Sequence, residues 1–169
     1  EWSNQKLVDN TIKNPTGFCY SWNNDSNINL WQNIQKTIYD PCPVGYRVPP
    51  MAVWNGFSKS GDNTEWYNMN VSGSFDYGWN FIYDGSNTSW YPATGRLTRE
   101  GNYEWWSDRG RLWTSHMDTD NEPAWLDYTN YGITLYNCDG EKENAYPVRC
   151  MKDEGHIDTS YPSVAVRNV

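Results

Sequence analysis

Aromatic rings, not aliphatic side chains, must build whatever core this chain has. The sequence carries 11 Trp, 13 Tyr and 4 Phe, whereas Leu, Ile, Val and Phe together number only 26 of 169 residues. With a net charge of −8, so few aliphatic residues would by themselves describe a chain that cannot collapse. The rings reverse that reading. Disordered chains are poor in aromatics, and each buried ring removes roughly 150–250 Å² from water. The 20 Asn, 13 Gly and 9 Pro favour turns over helix interiors. These features argue for one domain of short elements and long loops, and against a helical bundle.

The charge excludes other classes. A chain this acidic, with no Lys/Arg cluster, lacks the basic face that nucleic acid requires. No apolar run approaches the length of a membrane span. The chain starts at Glu1 rather than Met, the expectation being a mature or excised fragment. Its four cysteines, Cys19, Cys42, Cys138 and Cys150, form no C-x-x-C pair. With His116 and His156 as the only histidines, a structural zinc site is not expected. An even number of widely spaced cysteines fits two disulfides in an exported protein, with three connectivities open.

Along the chain, NNDSNIN (23–29) reads as a loop, and Trp31, Ile34 and Ile38 have a weak helical spacing. Pro41, Pro43, Pro49 and Pro50 force YDPCPVGYRVPP (39–50) to be extended or turned. A short helix is expected from Pro50, burying Val53, Trp54 and Phe57, with Gly61 beyond its end. Tyr77, Trp79, Phe81 and Tyr83 alternate in a strand over 76–84, followed by a turn at GSNTS (85–89). GRLWTS (110–115), PAWLDY (123–128), GITLY (132–136) and YPVRCMK (146–152) read as further strands. Trp54 and Trp113 are expected as core anchors. Arg47 and Arg149 are expected to make structural, bidentate hydrogen-bonded pairs. The segment 155–169 changes character and reads as a linker or the first strand of a following module.

Four segments, in order, carry a resemblance: KTIYDPCPVGYRVPP (36–50), WYPATGR (90–96), GRLWTS (110–115) and YPVRCMKD (146–153). Together they resemble the Fibrobacter succinogenes major paralogous domain, common in exported proteins of Bacteroidales. The resemblance covers roughly residues 14–154 and assigns 1–154 to one such domain. It implies an α+β fold like that of C-type lectins and the formylglycine-generating enzyme. Such a fold has short twisted antiparallel strands, one or two short helices, long loops and disulfide bracing. It implies pairing Cys42 with Cys150, and Cys19 is then expected with Cys138. It also implies an extracellular or outer-membrane cell-surface location and adhesin-like or fimbrial assemblies, with a binding role.

One region is distinctive as chemistry. In YEWWSDRGRLWTSHMDTDNEPAWLDYTNY (103–131) rings are interleaved with Asp, Asn, Glu, Arg and His. Ring faces beside planar hydrogen-bonding groups suit sugar recognition, and the same mixture suits protein recognition. The candidate ligand-binding residues are Trp106, Asp108, Arg109, His116, Asp118, Asp120, Asn121, Glu122, Tyr128 and Tyr131. DTDNE (118–122) could offer oxygen ligands to calcium, but it lacks the glycine and the twelfth-position glutamate of an EF-hand loop. Glu122-Pro123-Ala124 and Trp125-Leu126-Asp127 depart from the Glu-Pro-Asn and Trp-Asn-Asp pieces of calcium-dependent lectins. No metal or other cofactor is therefore expected, calcium being the one considered. The chain holds no G-x-S-x-G, P-loop or H-E-x-x-H motif. Cys138 and Cys150 lack the neighbours of the formylglycine-generating active site. The expectation is a non-enzymatic binding module for a glycan or a host or bacterial surface protein. The rivals are an assembly domain of a larger surface or fimbrial-tip protein, and a carbohydrate-active enzyme.

Overall fold

The computed structural model describes residues 36–37, 40–117, 122–138 and 144–153. Strand β1 (Tyr46–Arg47) is followed by a 3₁₀ helix over Met51–Phe57. The chain continues through β2 (Thr64–Trp66), β3 (Val71–Ser72), β4 (Gly78–Asp84), β5 (Asn87–Pro92), β6 (Arg96–Leu97) and β7 (Tyr103–Glu104). The longest strand, β8 (Arg109–Met117), precedes β9 (Pro123–Thr129), β10 (Gly132–Asn137) and β11 (Met151–Lys152). All pairings are antiparallel, in the orders β2-β10-β9-β8, β3-β4-β5, β6-β7 and β1-β11. Antiparallel strands with one short helix and a disulfide make this a small α+β fold, as the sequence implies.

Why the rings suffice as a core is visible in β9, which is buried on both faces from Pro123 to Tyr128. On one face Leu126 and Tyr128 join Leu112, Ile133 and Leu135 against Trp54, Phe57, Trp79, Phe81 and Tyr91. Phe57 and Phe81 stack at 4.1 Å, and Phe81 meets Tyr91 and Tyr128 edge-on at 5.5 and 5.4 Å, the geometry that ring quadrupoles favour. On the other face Trp113, Trp125 and Tyr146 form a second cluster. Trp54 and Trp113 are thus core anchors, as expected.

The helix corrects the sequence reading. With three residues per turn, a 3₁₀ helix buries positions three apart. Trp54 and Phe57 point inward while Val53 is 46% exposed. Pro50 stands just before the first turn as its extended N-cap residue rather than inside it. Only the middle of the 76–84 alternation is core: Trp79 and Phe81 in β4 are buried, whereas Tyr77, just before the strand, and Tyr83 are exposed. The expected turn at 85–89 is tighter, because Asp84 already pairs with Asn87 and Gly85 takes φ +55°. Of YPVRCMK only Met151–Lys152 is strand. Pro147 has no N–H to give a ladder, and its carbonyl instead accepts from Trp113 N at 3.1 Å.

The segment DPCPVGYRVPP is organised by one buried carboxylate. Asp40 Oδ1 accepts from Cys42 N and Lys36 Nζ, both at 2.8 Å, and Oδ2 accepts from Val48 N at 3.0 Å. Cys42 is bonded to Cys150 with Cα atoms 5.7 Å apart, the pairing the resemblance implies. Arg47 lies 3.6 Å from Asp153. The Arg149 fork grips the Trp90 carbonyl at 2.7 Å and Ser89 Oγ at 2.6 Å, stacked on Tyr91, so its bidentate pair is with strand β5. The helical spacing at Trp31, Ile34 and Ile38, the partner Cys19 of the second expected disulfide, and the tail 155–169 lie outside the described residues. No helix among the described residues is long and apolar enough to cross a membrane.

Candidate functional site

At one end of the four-stranded sheet, three separate segments enclose an open cleft of about 600 Å³. Phe75, Asp76 and Tyr77 come from the approach to β4. Trp105, Ser107, Asp108 and Arg109 come from the approach to β8, and Thr129, Asn130 and Tyr131 from the β9–β10 turn.

Each segment is held by the backbone. Ser107 N donates to Ala93 O at 2.8 Å, and Ala93 N donates to Tyr77 O at 2.7 Å. Gly95 N donates to Arg109 O at 2.7 Å. The Trp79 indole N–H donates to Thr129 O at 2.8 Å, fastening β4 under the turn. Thr129 Oγ1 accepts from the N–H groups of Tyr131 and Gly132, the local bond by which threonine closes a turn. Gly78 and Gly95 lie against neighbouring backbone. A Cβ on Gly95 would sit 2.2 Å from Glu104 O, and one on Gly78 would sit 2.3 Å from Tyr91 O.

The conformations that line the cleft are costly. Among the described residues four non-glycine residues have positive φ: Tyr67 (58°), Tyr77 (56°), Trp105 (54°) and Ser107 (70°). Three of them line the cleft, and the fourth, Tyr67, faces Tyr131 with ring centroids 6.1 Å apart. A left-handed backbone is uncommon for large L-residues and costs about 1–3 kcal/mol wherever it is held. The rings so held are accessible: Tyr77 is 67% exposed, Tyr67 84% and Trp105 42%.

Beneath the cleft lies a cation–ring layer. Trp105 is faced by Arg96 at 4.4 Å, Arg111 at 4.6 Å and Arg109 at 5.1 Å. Asp127, almost buried, sits 3.4 Å from Arg109 and 3.1 Å from Arg111. Arg111 also donates to Tyr146 Oη at 3.0 Å. Among the described residues Arg109 is the one cation on the cleft wall, and it is already engaged below, while Asp76 and Asp108 face solvent.

The sequence-derived candidates separate into groups. Asp108, Arg109 and Tyr131 line the cleft, and Trp106, 69% exposed, stands beside it. His116 and Glu122 lie at the opposite end of β8 and β9, roughly 20 Å away at ~3.3 Å per strand residue. His116 there meets Tyr136 edge-on. Tyr128 is corrected: it is a core residue, 1% exposed, whose hydroxyl donates to Pro92 O at 2.7 Å. Its strand alternates between the two cores and leaves it no surface. Burial first, then Tyr91, pushes its phenol far above the ordinary tyrosine value, with Arg149 opposing. Asp118, Asp120 and Asn121, and with them most of the acidic run considered for calcium, lie outside the described residues. Among the described residues no group of three His, Cys, Asp or Glu side chains comes together to hold a metal ion. Sequence reasoning missed Asp76, Tyr77, Trp105, Thr129 and Asn130. The available signals were a tyrosine followed by glycine at the mouth of a strand and the doubled tryptophan at 105–106. No protein family, curated protein or solved structure matches the chain.

Proposed function

We propose that this domain is an exported cell-surface binding module that takes a glycan into the cleft without turning it over. We further propose that it belongs to the paralogous-domain family its four segments resemble, with the lectin-like architecture of that family. The single observation that carries the binding reading is the placing of strained, solvent-facing rings around one open cleft. Holding Tyr77, Trp105 and Ser107 in left-handed backbone is unfavourable. It sets Tyr77 and Trp105 beside Asp76, Asp108 and Asn130, which is the pairing of apolar faces and directional polar groups that a sugar requires. A cleft of about 600 Å³ falls within the range of small-ligand sites. The family reading is supported by the Cys42–Cys150 bond and by the β1–β11 pairing, which bring the DPCP segment beside the last strand. The export reading is supported by the disulfide, a bond that persists in oxidising compartments.

The test is a glycan array followed by calorimetric titration of the hits, with and without EDTA. The expected result is saturable binding, unaffected by EDTA, weakened at least about tenfold, or about 1.4 kcal/mol, in both Tyr77→Ala and Asp108→Ala, with unchanged melting temperatures. Binding of a surface protein where no glycan binds would transfer the cleft to protein recognition. Binding of neither would leave the assembly role, and release of product from a bound glycan would make the domain an enzyme.

A further inference from the structure

Beside the cleft lies a second hollow of about 120 Å³, bordered by Thr64, Trp66, Gly132 and Thr134, and it shares Arg109, Thr129 and Tyr131 with the first. It is below the size of an independent small-molecule site. Its rings are nevertheless displayed. Trp66 is 62% exposed and stacks on Tyr131 at 5.5 Å with planes only 10° apart. Tyr67 follows it, 84% exposed at φ +58°. The backbone beneath is shaped to allow this. Trp66 pairs with Gly132 across the β2–β10 ladder, and a Cβ on Gly132 would come within 3.0 Å of the indole. Tyr67 N is anchored to Tyr131 O at 2.7 Å.

The second hollow is too small to hold a ligand alone and shares a ring, a cation and Thr129 with the larger one, so a ligand that outgrows the cleft reaches it next. We infer that the ligand is a chain of sugars. One unit occupies the cleft on Tyr77, beside Trp105, and the next lies on the Trp66–Tyr67–Tyr131 platform. This rests on the reading of the cleft as a glycan site and adds its length: an oligosaccharide or polysaccharide is recognised, not a single terminal sugar. Each station contributes ring area with little conformational freedom to lose, so the second unit adds to an already paid association cost.

The experiment is calorimetric titration with homologous series of one to six units, using gluco-, manno-, xylo- and chito-oligosaccharides. The series binding the intact protein is then repeated with Trp66→Ala and Tyr67→Ala. Affinity is expected to rise at least about tenfold between one and three units and then level off. Either variant should reduce that ratio toward one, as should the other if one of the pair folds poorly. A series in which one unit binds as tightly as six, or a ratio unmoved by both variants, overturns the inference while leaving the cleft a glycan site. Failure of every series and of the glycan array overturns both.

Discussion

Tyr128 shows how a single side chain can be misread from its neighbours and still explain a property of the protein. Its sequence context is rich in Asp, Asn and Tyr, the company of a binding surface. Its strand, however, is buried on both faces, so its ring packs against Gly110, where a Cβ would come within 1.9 Å of it. Burial holds its phenol protonated well above the ordinary value, which is about 10. Above about pH 10 the unfolded chain releases this proton and the folded protein keeps it. The unfolded state then binds fewer protons, and stability falls as pH rises, by about 1.4 kcal/mol per pH unit until the folded value is reached. Below pH 10 the contribution is fully present. Tyr128→Phe is expected to cost about 1 kcal/mol at pH 8 through the lost bond to Pro92. It should also lose less stability than the parent between about pH 10 and 11. Urea midpoints measured across that range check this, and parallel slopes for the two proteins would assign the alkaline loss to other groups.

Elements were legible where a single period governed them. Trp79 and Phe81 alternate into the core as written, and β8, β9 and β10 lie where their ring and aliphatic runs put them. The helix was legible as a helix, but not as one with three residues per turn, which is what sends Val53 outward. Two walls of the cleft were legible, through Asp108 and Arg109 on one and Tyr131 on the other. The third comes from Asp76–Tyr77, separated in sequence from Asn130–Tyr131 by some fifty residues, and it is aimed by a backbone angle that residue identity does not encode. Tyr77 fits an alternating pattern yet leaves it because its φ is +56°. Gly95 is the element-scale counterpart: its φ of +64° lets the start of β6 run against the Glu104 carbonyl and the Trp106 amide. Gly95→Ala is therefore expected to destabilise the domain by about 2–4 kcal/mol. It should also disturb the indole emission of the 105–106 pair. Chemical denaturation and fluorescence of the variant check both, and a variant as stable as the parent would show that the β6–β7 hairpin yields easily.

At the scale of the molecule, two clusters of rings on opposite faces of one sheet replace the aliphatic core that the composition withholds. The Cys42–Cys150 bond closes a loop with a sequence separation of 108. Constraining the unfolded chain to that extent contributes roughly 4–5 kcal/mol in the chain-entropy account. Replacing both cysteines by alanine should lower stability by about 2–5 kcal/mol, measured by denaturation against the parent. The same bond also decides how the domain responds to traction. Tension applied to the polypeptide before Cys42 and after Cys150 can peel β11 from β1, but it passes across a covalent link before it loads the strands from β2 to β10. In a pulling experiment under oxidising conditions the segment between the two cysteines should stay shut. After reduction it should lengthen by roughly 350 Å, at about 3.3–3.6 Å per extended residue. A domain wired this way keeps the walls of its cleft together while the chain on either side is hauled.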